Sequence, residues 1–434
     1  MQEDNKYKVI VAHPGKQHSF KTATALYEKG MLFNYITTVY DKPGSITHFA
    51  NKLLTGSDKK KAKSRRSDTL PDSKVYQFFE LYGLINIFLP RLKFLSKYKY
   101  WWNNWLNDRF GKKVAKYAIK NNVDAVISYD YNSLALFEYL KAKAPHIKRI
   151  LDVSIANRIY AKDVFQRDVN KTGETGVYSE NLDVWEESSL NRVKNEIDLA
   201  SHFLVPSQIV KESLIFSGVE DNRISVVPYG VNTDQFSYVK KQTIHKPLKL
   251  LYVGGIIYRK GIHHLLNIAE ILGPDVVDIN LVGKYDTNSC LYKRGSKLDN
   301  VRFLGFLTHD VLFEQYRESD FFIFPSLCEG YALVMLEAQS CGMPIICSDH
   351  SGGNDDIING FNGYVFPATD DEALIKCIKK IISNPDCISY MSENARETAS
   401  KMTWEAYNSL LIDTVIKILN KASYEITMSE VSQN

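Results

Sequence analysis

A chain of 434 residues is long enough for two to three domains, each able to bury a core without disulfides or metals. Hydrophobic residues make up 44% and charged residues 24%, and 54 basic against 50 acidic side chains leave a net charge of +4. This excludes a disordered, collagen-like or supercharged chain and gives no reason to expect nucleic acid as a partner. The start, Met-Gln-Glu-Asp-Asn-Lys, lacks the basic and apolar regions of a secretory signal. No run approaches the ~18 apolar residues of a membrane span, because the stretch 81–95 is broken by Asn86, Pro90, Arg91 and Lys93. A cytoplasmic protein, soluble or peripheral on a membrane, is expected. Cys290, Cys328, Cys341, Cys347, Cys377 and Cys387 form no CxxC or CxxxH spacing, so they are read as buried free thiols rather than a zinc or redox site.

In chain order, the β-branched run 7–12 predicts a strand, His13-Pro-Gly-Lys-Gln-His18 breaks it, and a helical pattern follows around 24–29. Strand 124–129, helix 133–144 and strand 149–153 repeat the alternation that joins parallel strands by crossover helices. An amphipathic helix over 185–200 and a strand over 202–206 follow. A first α/β domain over 1–230 results. Residues 231–247 lose apolar periodicity and read as a hinge. The alternation restarts with strands at 248–253, 277–282, 301–303, 321–324 and 344–347 and helices at 262–272, 311–317 and 333–340, giving a second domain over 248–403. A long helix from 404 to 422 and a polar tail complete residues 404–434. The fold class is therefore α/β, with two doubly wound Rossmann-like domains facing across a cleft where the carboxyl ends of both sets of strands bind ligands. Such folds host many chemistries, so the reaction must come from the site.

The densest candidate is Phe324-Pro-Ser-Leu-Cys-Glu-Gly-Tyr-Ala-Leu-Val-Met-Leu-Glu-Ala338, with Glu329 and Glu337 eight residues apart around Gly330. A helix across this interval would set the two carboxylates about 80° apart around its axis and about 12 Å apart along it, so they would hold different ends of one long ligand. Free amides of a first turn around Tyr331 to Leu333 would seat an anion between them. A sugar linked through a diphosphate to a nucleoside fits that order; equally, Glu329 can be a helix cap and Glu337 a solvated face. A second cluster, Gly254-Gly255-Ile-Ile-Tyr-Arg259-Lys260-Gly261, offers close backbone approach and counter-charge to phosphate, or a plain turn. A third, His13 to His18 around Gly15, offers two histidines as acid or base, or as structural rings.

The runs containing Glu329-Gly330, Glu337 to Pro344, Gly352-Gly353 and Asn359 to Gly363 resemble the C-terminal signature of retaining glycosyltransferases of family GT4, with two-domain GT-B folds. The resemblance extends to Val205-Pro-Ser207, to 227–236, to 252–261 and to 301–305. It implies that Lys260 neutralises a donor diphosphate, that Glu329 contacts the donor sugar near the reacting carbon as the catalytic residue, and that Glu337 binds ribose. Gly330, Tyr331, Ala332, Leu333 and Val334 would line the sugar and phosphate pocket through their amides, with Gly15 and Gly255 beside them. The arginine frequent five residues before the lysine is Gly255 here, and Arg259 is a substitute for that charge. Ala332 replaces the usual second glycine of the run. A histidine frequent in the acceptor loop is absent from 151–158, leaving His13, His18, Asp152, Ser154, Asn157 and Arg158 as acceptor-side candidates. Preorganised amides and a cation can stabilise the leaving group without a metal, so no metal and no cofactor are expected beyond a UDP- or GDP-linked sugar as substrate. The helix near Trp404 resembles the one that crosses back to the first domain in this fold.

Between Lys52 and Arg66 seven basic residues face one acid, and 91–105 interleaves Arg91, Lys93, Lys97 and Lys99 with six aromatic residues. That composition suits an anionic membrane surface near a lipid-linked glycan acceptor, or a solvated loop beside core aromatics. The leading expectation is a glycosyltransferase of surface polysaccharide synthesis. A GT-B-shaped nucleotide-sugar 2-epimerase and an inactive sugar-nucleotide-binding scaffold are the alternatives.

Overall fold

The computed structural model describes residues 7–52, 65–88, 99–180 and 182–431. The first sheet is built from β1 (Val9–Ala12), β2 (Leu32–Thr37), β3 (Val75–Gln77), β4 (Ala125–Tyr129), β5 (Lys148–Asp152), β6 (His202–Val205) and β7 (Ile224–Val226), in spatial order β3-β2-β1-β4-β5-β6-β7. The second contains β8 (Leu248–Val253), β9 (Val277–Val282), β10 (Val301–Gly305), β11 (Phe321–Phe324), β12 (Ile345–Ser348) and β13 (Gly363–Phe366), in order β10-β9-β8-β11-β12-β13. All pairings within both sheets are parallel. The expected doubly wound α/β class is what the chain adopts, and the first six strands of each sheet share one order, with the reversal point between β1 and β4 and again between β8 and β11.

The central strands are short apolar runs because helices cover both faces. Val9 to Ala12 and Phe321 to Phe324 are buried throughout. Strands β2, β3, β7 and β13 escaped the sequence pattern for identifiable reasons. Strands β3 and β7 are three-residue edges, β2 carries Asn34 inside its apolar run, and β13 begins on a glycine. The helix expected over 185–200 is Glu187–Leu199, preceded by a separate turn, Leu182–Trp185. The cysteine expectation needs correction: all six are free, but Cys290 is exposed and Cys377 and Cys387 are only partly buried.

The two domains meet at the carboxyl ends of their strands. Ser207 Oγ donates to the Gly330 carbonyl (2.6 Å), the Gln208 amide donates to Asp355 (2.7 Å), and the Tyr258 amide donates to Glu180 (2.8 Å). The chain crosses between domains twice side by side, with the Val231 amide donating to the Met402 carbonyl (2.9 Å). From there helix Trp404–Val431 returns along helix Ser19–Glu28 of the first domain. Tyr407 and Thr22 share a hydrogen bond of 2.9 Å, and the Lys21 ammonium lies 4.8 Å from the Trp404 ring centre. Among the described residues no helix is long and apolar enough to cross a membrane.

Candidate active site between the domains

The reversal points are where neighbouring crossovers leave on opposite faces and open a crevice. In the second sheet the loop after β8 carries Gly254 to Gly261 and the loop after β11 carries Pro325 to Ala332, so the two motifs some 70 positions apart become neighbours. Gly261 is needed for this. It has φ +71°, and a Cβ there would lie 1.9 Å from the Pro325 carbonyl oxygen. The close approach places Lys260 Nζ 2.5 Å from Glu329 Oε1, and Arg259 bonds the same oxygen while donating to the Cys328 carbonyl at 2.7 Å. Burial pushes the Glu329 carboxyl up, but Lys260 and Arg259 outweigh it and hold the group below the usual carboxylate range. For Lys260 the balance is opposite: burial lowers the ammonium despite the pull of Glu329. Two cations facing one carboxylate leave an excess positive charge in a desolvated place. Gly255 faces open space at this loop.

Glu329 and Glu337 do not share a helix: the one-helix geometry weighed for the pair does not apply, while the helix expected over 333–340 forms over those residues. The helix is Leu333–Ser340, so Glu329 stands on the loop before it, with Gly330, Tyr331 and Ala332 in between. The separation of roles survives for another reason. Glu329 is fixed by cations from the β8 loop, whereas Glu337 lies on the helix beside Tyr316 and His309; burial raises its carboxyl, opposed by His309 and Tyr316. Tyr331 turns its hydroxyl to Asp356 (2.5 Å) and its ring to Tyr229 of the first domain (5.8 Å). Ala332 is buried at the start of the helix without a side-chain cap, and Leu333 and Val334 are half-buried in its first turn.

Gly330 is the point of closest contact with the first domain. A Cβ there would sit 1.7 Å from the Ser154 carbonyl oxygen, and the Ala156 amide donates to the Glu329 carbonyl at 3.3 Å. Loop 154–157 therefore rests directly on the glutamate loop. His18 pairs with Asp152 at 2.9 Å, and the Tyr229 hydroxyl lies 3.3 Å from the same ring nitrogen. His13 accepts from the Gly15 amide through Nδ1 (2.7 Å), and burial, reinforced by His18, lowers it to about 3. The ring is therefore neutral and weakly basic, suited to hydrogen bonding rather than to taking up a proton.

Two of the acceptor-side candidates have structural partners within the first domain. Asn157 is 2% exposed and caps helix Arg158–Thr172, accepting from the Ile159 and Tyr160 amides while donating to the Ser213 carbonyl. Its oxygen is committed to the cap and its nitrogen donates to Ser213. Arg158 pairs with Asp183 (2.5 Å), donates to Ser189 (2.7 Å) and covers the Tyr131 ring at 4.0 Å, all within the first domain.

Asp130, absent from the sequence-derived set, is brought in by the fold. It follows β4 at the first sheet's reversal point, one residue after Tyr129, whose ring lies 4.9 Å from that of His13. Oδ1 accepts from Ser154 Oγ at 3.0 Å, Oδ2 is buried without a hydrogen-bond partner, and burial raises the carboxyl to about 7. Its neighbour Tyr131 holds φ +68°, a strained conformation of the kind concentrated at functional sites. An aspartate immediately after a predicted strand was the signal available in sequence.

Two doubly wound parallel sheets meeting at their reversal points, with paired cations on one side and buried acids on the other, define a protein of the two-domain GT-B class. Residues 234–398 match the family profile described as glycosyl transferases group 1. It is 25% identical over 234 residues to the capsular polysaccharide biosynthesis glycosyltransferase CapM of Staphylococcus aureus, covering 49% of this chain and 61% of that one. It is also 25% identical over 193 residues to the amylovoran biosynthesis glycosyltransferase AmsK of Erwinia amylovora, covering 42% of this chain and 47% of the relative. The chain thus spans about half the length of the curated relatives it matches. Among solved structures, sucrose-phosphate synthase from Thermosynechococcus elongatus superposes over 96% of this chain and 100% of its own, with TM-score 0.60 and 18% identity. Anabaena HepE in complex with UDP and glucose covers 95% and 100%, with TM-score 0.58 and 14% identity. These identities establish the shared fold.

Proposed function

We propose that the protein is a retaining glycosyltransferase that moves a sugar from a UDP- or GDP-linked donor to a hydroxyl of a glycan or lipid-linked acceptor in surface polysaccharide synthesis. The observation that carries this reading is Glu329, held ionised by Lys260 and Arg259 on a loop that touches the acceptor-side domain. A departing diphosphate gains negative charge, and a buried ammonium and guanidinium beside a helix N-terminus would stabilise it without reorganisation. Lys260 takes the diphosphate, Glu337 a ribose diol, and Glu329 the positive charge that develops at the anomeric carbon. The acceptor hydroxyl approaches from the loops of His13, His18, Asp130 and Asp152 and delivers its proton to the departing diphosphate. HepE, whose structure holds UDP and glucose, and CapM, named for capsular polysaccharide, support the donor class and the setting. Proton NMR of the product from a UDP- or GDP-sugar and a glycan or lipid-linked acceptor tests this: retained anomeric configuration is expected, and inversion contradicts it. Donor turnover without acceptor, yielding a 2-epimer, would instead mark an epimerase.

The membrane part of the proposal concerns the first domain. The expected segments 52–66 and 91–105 fall largely on 53–64 and 89–98, outside the described residues. Beside them, Ile46, Phe49, Leu81, Tyr100 and Trp101 are exposed, Phe49 by 61% and Trp101 by 62%. Trp102 and Trp105 instead pack on each other and on Tyr82. Exposed aromatics flanked by lysine suit an anionic bilayer surface. Sedimentation with anionic liposomes at low salt is expected, and failure to sediment removes this part.

A further inference from the structure

Away from the donor loop, the interface contains a second charged cluster, contributed by three helices. Asp168 lies on helix Arg158–Thr172 of the first domain, His263 and His264 on helix Ile262–Leu272, and Asp371 at the start of helix Asp371–Ser383. His264 Nε2 is 3.0 Å from Asp168 Oδ1 and its Nδ1 is 2.6 Å from Asp371 Oδ1, so one ring joins carboxylates from the two domains. His263 Nε2 donates to the other Asp168 oxygen at 2.9 Å. The side chains of Asp168, His263 and His264 are 0–2% exposed, whereas that of Asp371 is 24% exposed.

The placement matters because of what precedes each helix. The helix bearing Asp168 starts at loop 154–157, and the helix bearing His264 starts immediately after Lys260-Gly261. Joining their flanks fixes the lysine relative to that loop.

We propose that Asp168, His264 and Asp371 form a proton-dependent clamp between the domains: the imidazolium of His264 holds the two halves of the site together, and its deprotonation lets them separate. The consequence for catalysis rests on the transferase reading; the clamp itself does not.

Every charge facing His264 fits this assignment. Asp168 comes from the first domain, Asp371 from the neighbouring helix, and His263 from its own helix as a ring whose charge is disfavoured by burial. Asn267 donates to Asp371 at 2.6 Å and accepts from Arg294 at 2.7 Å. Arg294 also pairs with Glu270 and with Glu174, and Lys171 donates to the Thr369 carbonyl across the interface. A polar cavity of about 430 Å³ lined by Lys171, Glu174, Asn267, Asp371 and Glu372 gives water a route to the cluster. Burial alone would discharge His264, but its hydrogen bonds to Asp168 and Asp371 overcome this and raise it to about 9. A group raised in the closed form contributes fully below its ordinary value near 6.5 and loses that contribution as pH rises through about 9.

Small-angle scattering of the full chain from about pH 6 to about pH 10 tests the clamp, with far-UV circular dichroism on the same samples. The wild type should expand with a midpoint near pH 9 while its dichroism stays constant. Asp371→Asn should move the midpoint down by about one pH unit or more, and His264→Gln should be expanded at neutral pH with no dependence across this range. Asp371→Asn substitutes a partly exposed end of the network and keeps the test open if His264→Gln does not fold. Scattering of Asp371→Asn that superimposes on wild type at every pH, or expansion that tracks loss of dichroism, would overturn the proposal. Calorimetry with UDP and with GDP at neutral pH separates the two readings: binding of neither nucleotide with the pH-dependent expansion intact removes the transferase and leaves the clamp.

Discussion

The two domains share a strand order yet treat charge at their reversal points in opposite ways. In the second domain one carboxylate, Glu329, is matched by Lys260 and Arg259 and is held ionised. In the first, Asp130 and Asp152 lie near one another with His18 as the close base, and burial raises Asp130 to about 7. Cations in excess suit a fixed anion such as a diphosphate; carboxyls in excess suit hydroxyls, which both donate and accept. The shared fold supplies the positions, and the loop residues decide which chemistry each crevice serves.

The contact between these unlike halves is the most sensitive place to break the comparison. Gly330→Ala puts a methyl group 1.7 Å from the Ser154 carbonyl oxygen, forcing backbone apart. The proposed glycosyl transfer is expected to fall at least ~100-fold, because a 1 Å misplacement of reacting groups costs that much, with nucleotide affinity falling less because Lys260 and Glu337 are untouched. Steady-state turnover beside calorimetry checks both.

Asp130→Asn probes the acid-rich half. An aspartate at 3.8 unfolded and about 7 folded sheds protons more easily when unfolded, so it lowers stability as pH rises from about 4 to about 7. Removing the charge should make the variant more stable relative to wild type at pH 8 than at pH 4, by roughly 2–4 kcal/mol. Urea unfolding at the two pH values measures it, and equal differences at both would remove the uncompensated-acid account.

Much of the second half was legible because its site is written in short stretches. Gly255 to Gly261 and Phe324 to Glu337 each follow a predicted strand, and one chain reversal joins them. The spacing argument that set Glu329 and Glu337 on one helix did not hold, although the helix lies where expected, Leu333–Ser340; local spacing does not show that Lys260 and Arg259 of another loop pair with Glu329. The proposed acceptor side is assembled from ends of β1, β4 and β5 and from Tyr229, separated by tens to over a hundred residues, so Asp130 had no local partner to announce it. Asn157 shows the opposite error: a polar residue after a strand was read as a ligand group, when its position before helix Arg158–Thr172 made it a cap. Asn157→Ala should accordingly cost about 1–2 kcal/mol in thermal or urea unfolding and leave nucleotide affinity unchanged.

The donor assignment is tested most directly by calorimetric titration of UDP, GDP and ADP into wild type and Glu337→Ala. One nucleotide should bind the wild type in the micromolar range, and loss of a charged hydrogen-bond acceptor should weaken it by about 1.5–3 kcal/mol, roughly 10- to 100-fold. Absence of binding by all three, or equal affinity in the variant, would contradict the placement of a nucleoside diphosphate between Lys260 and Glu337.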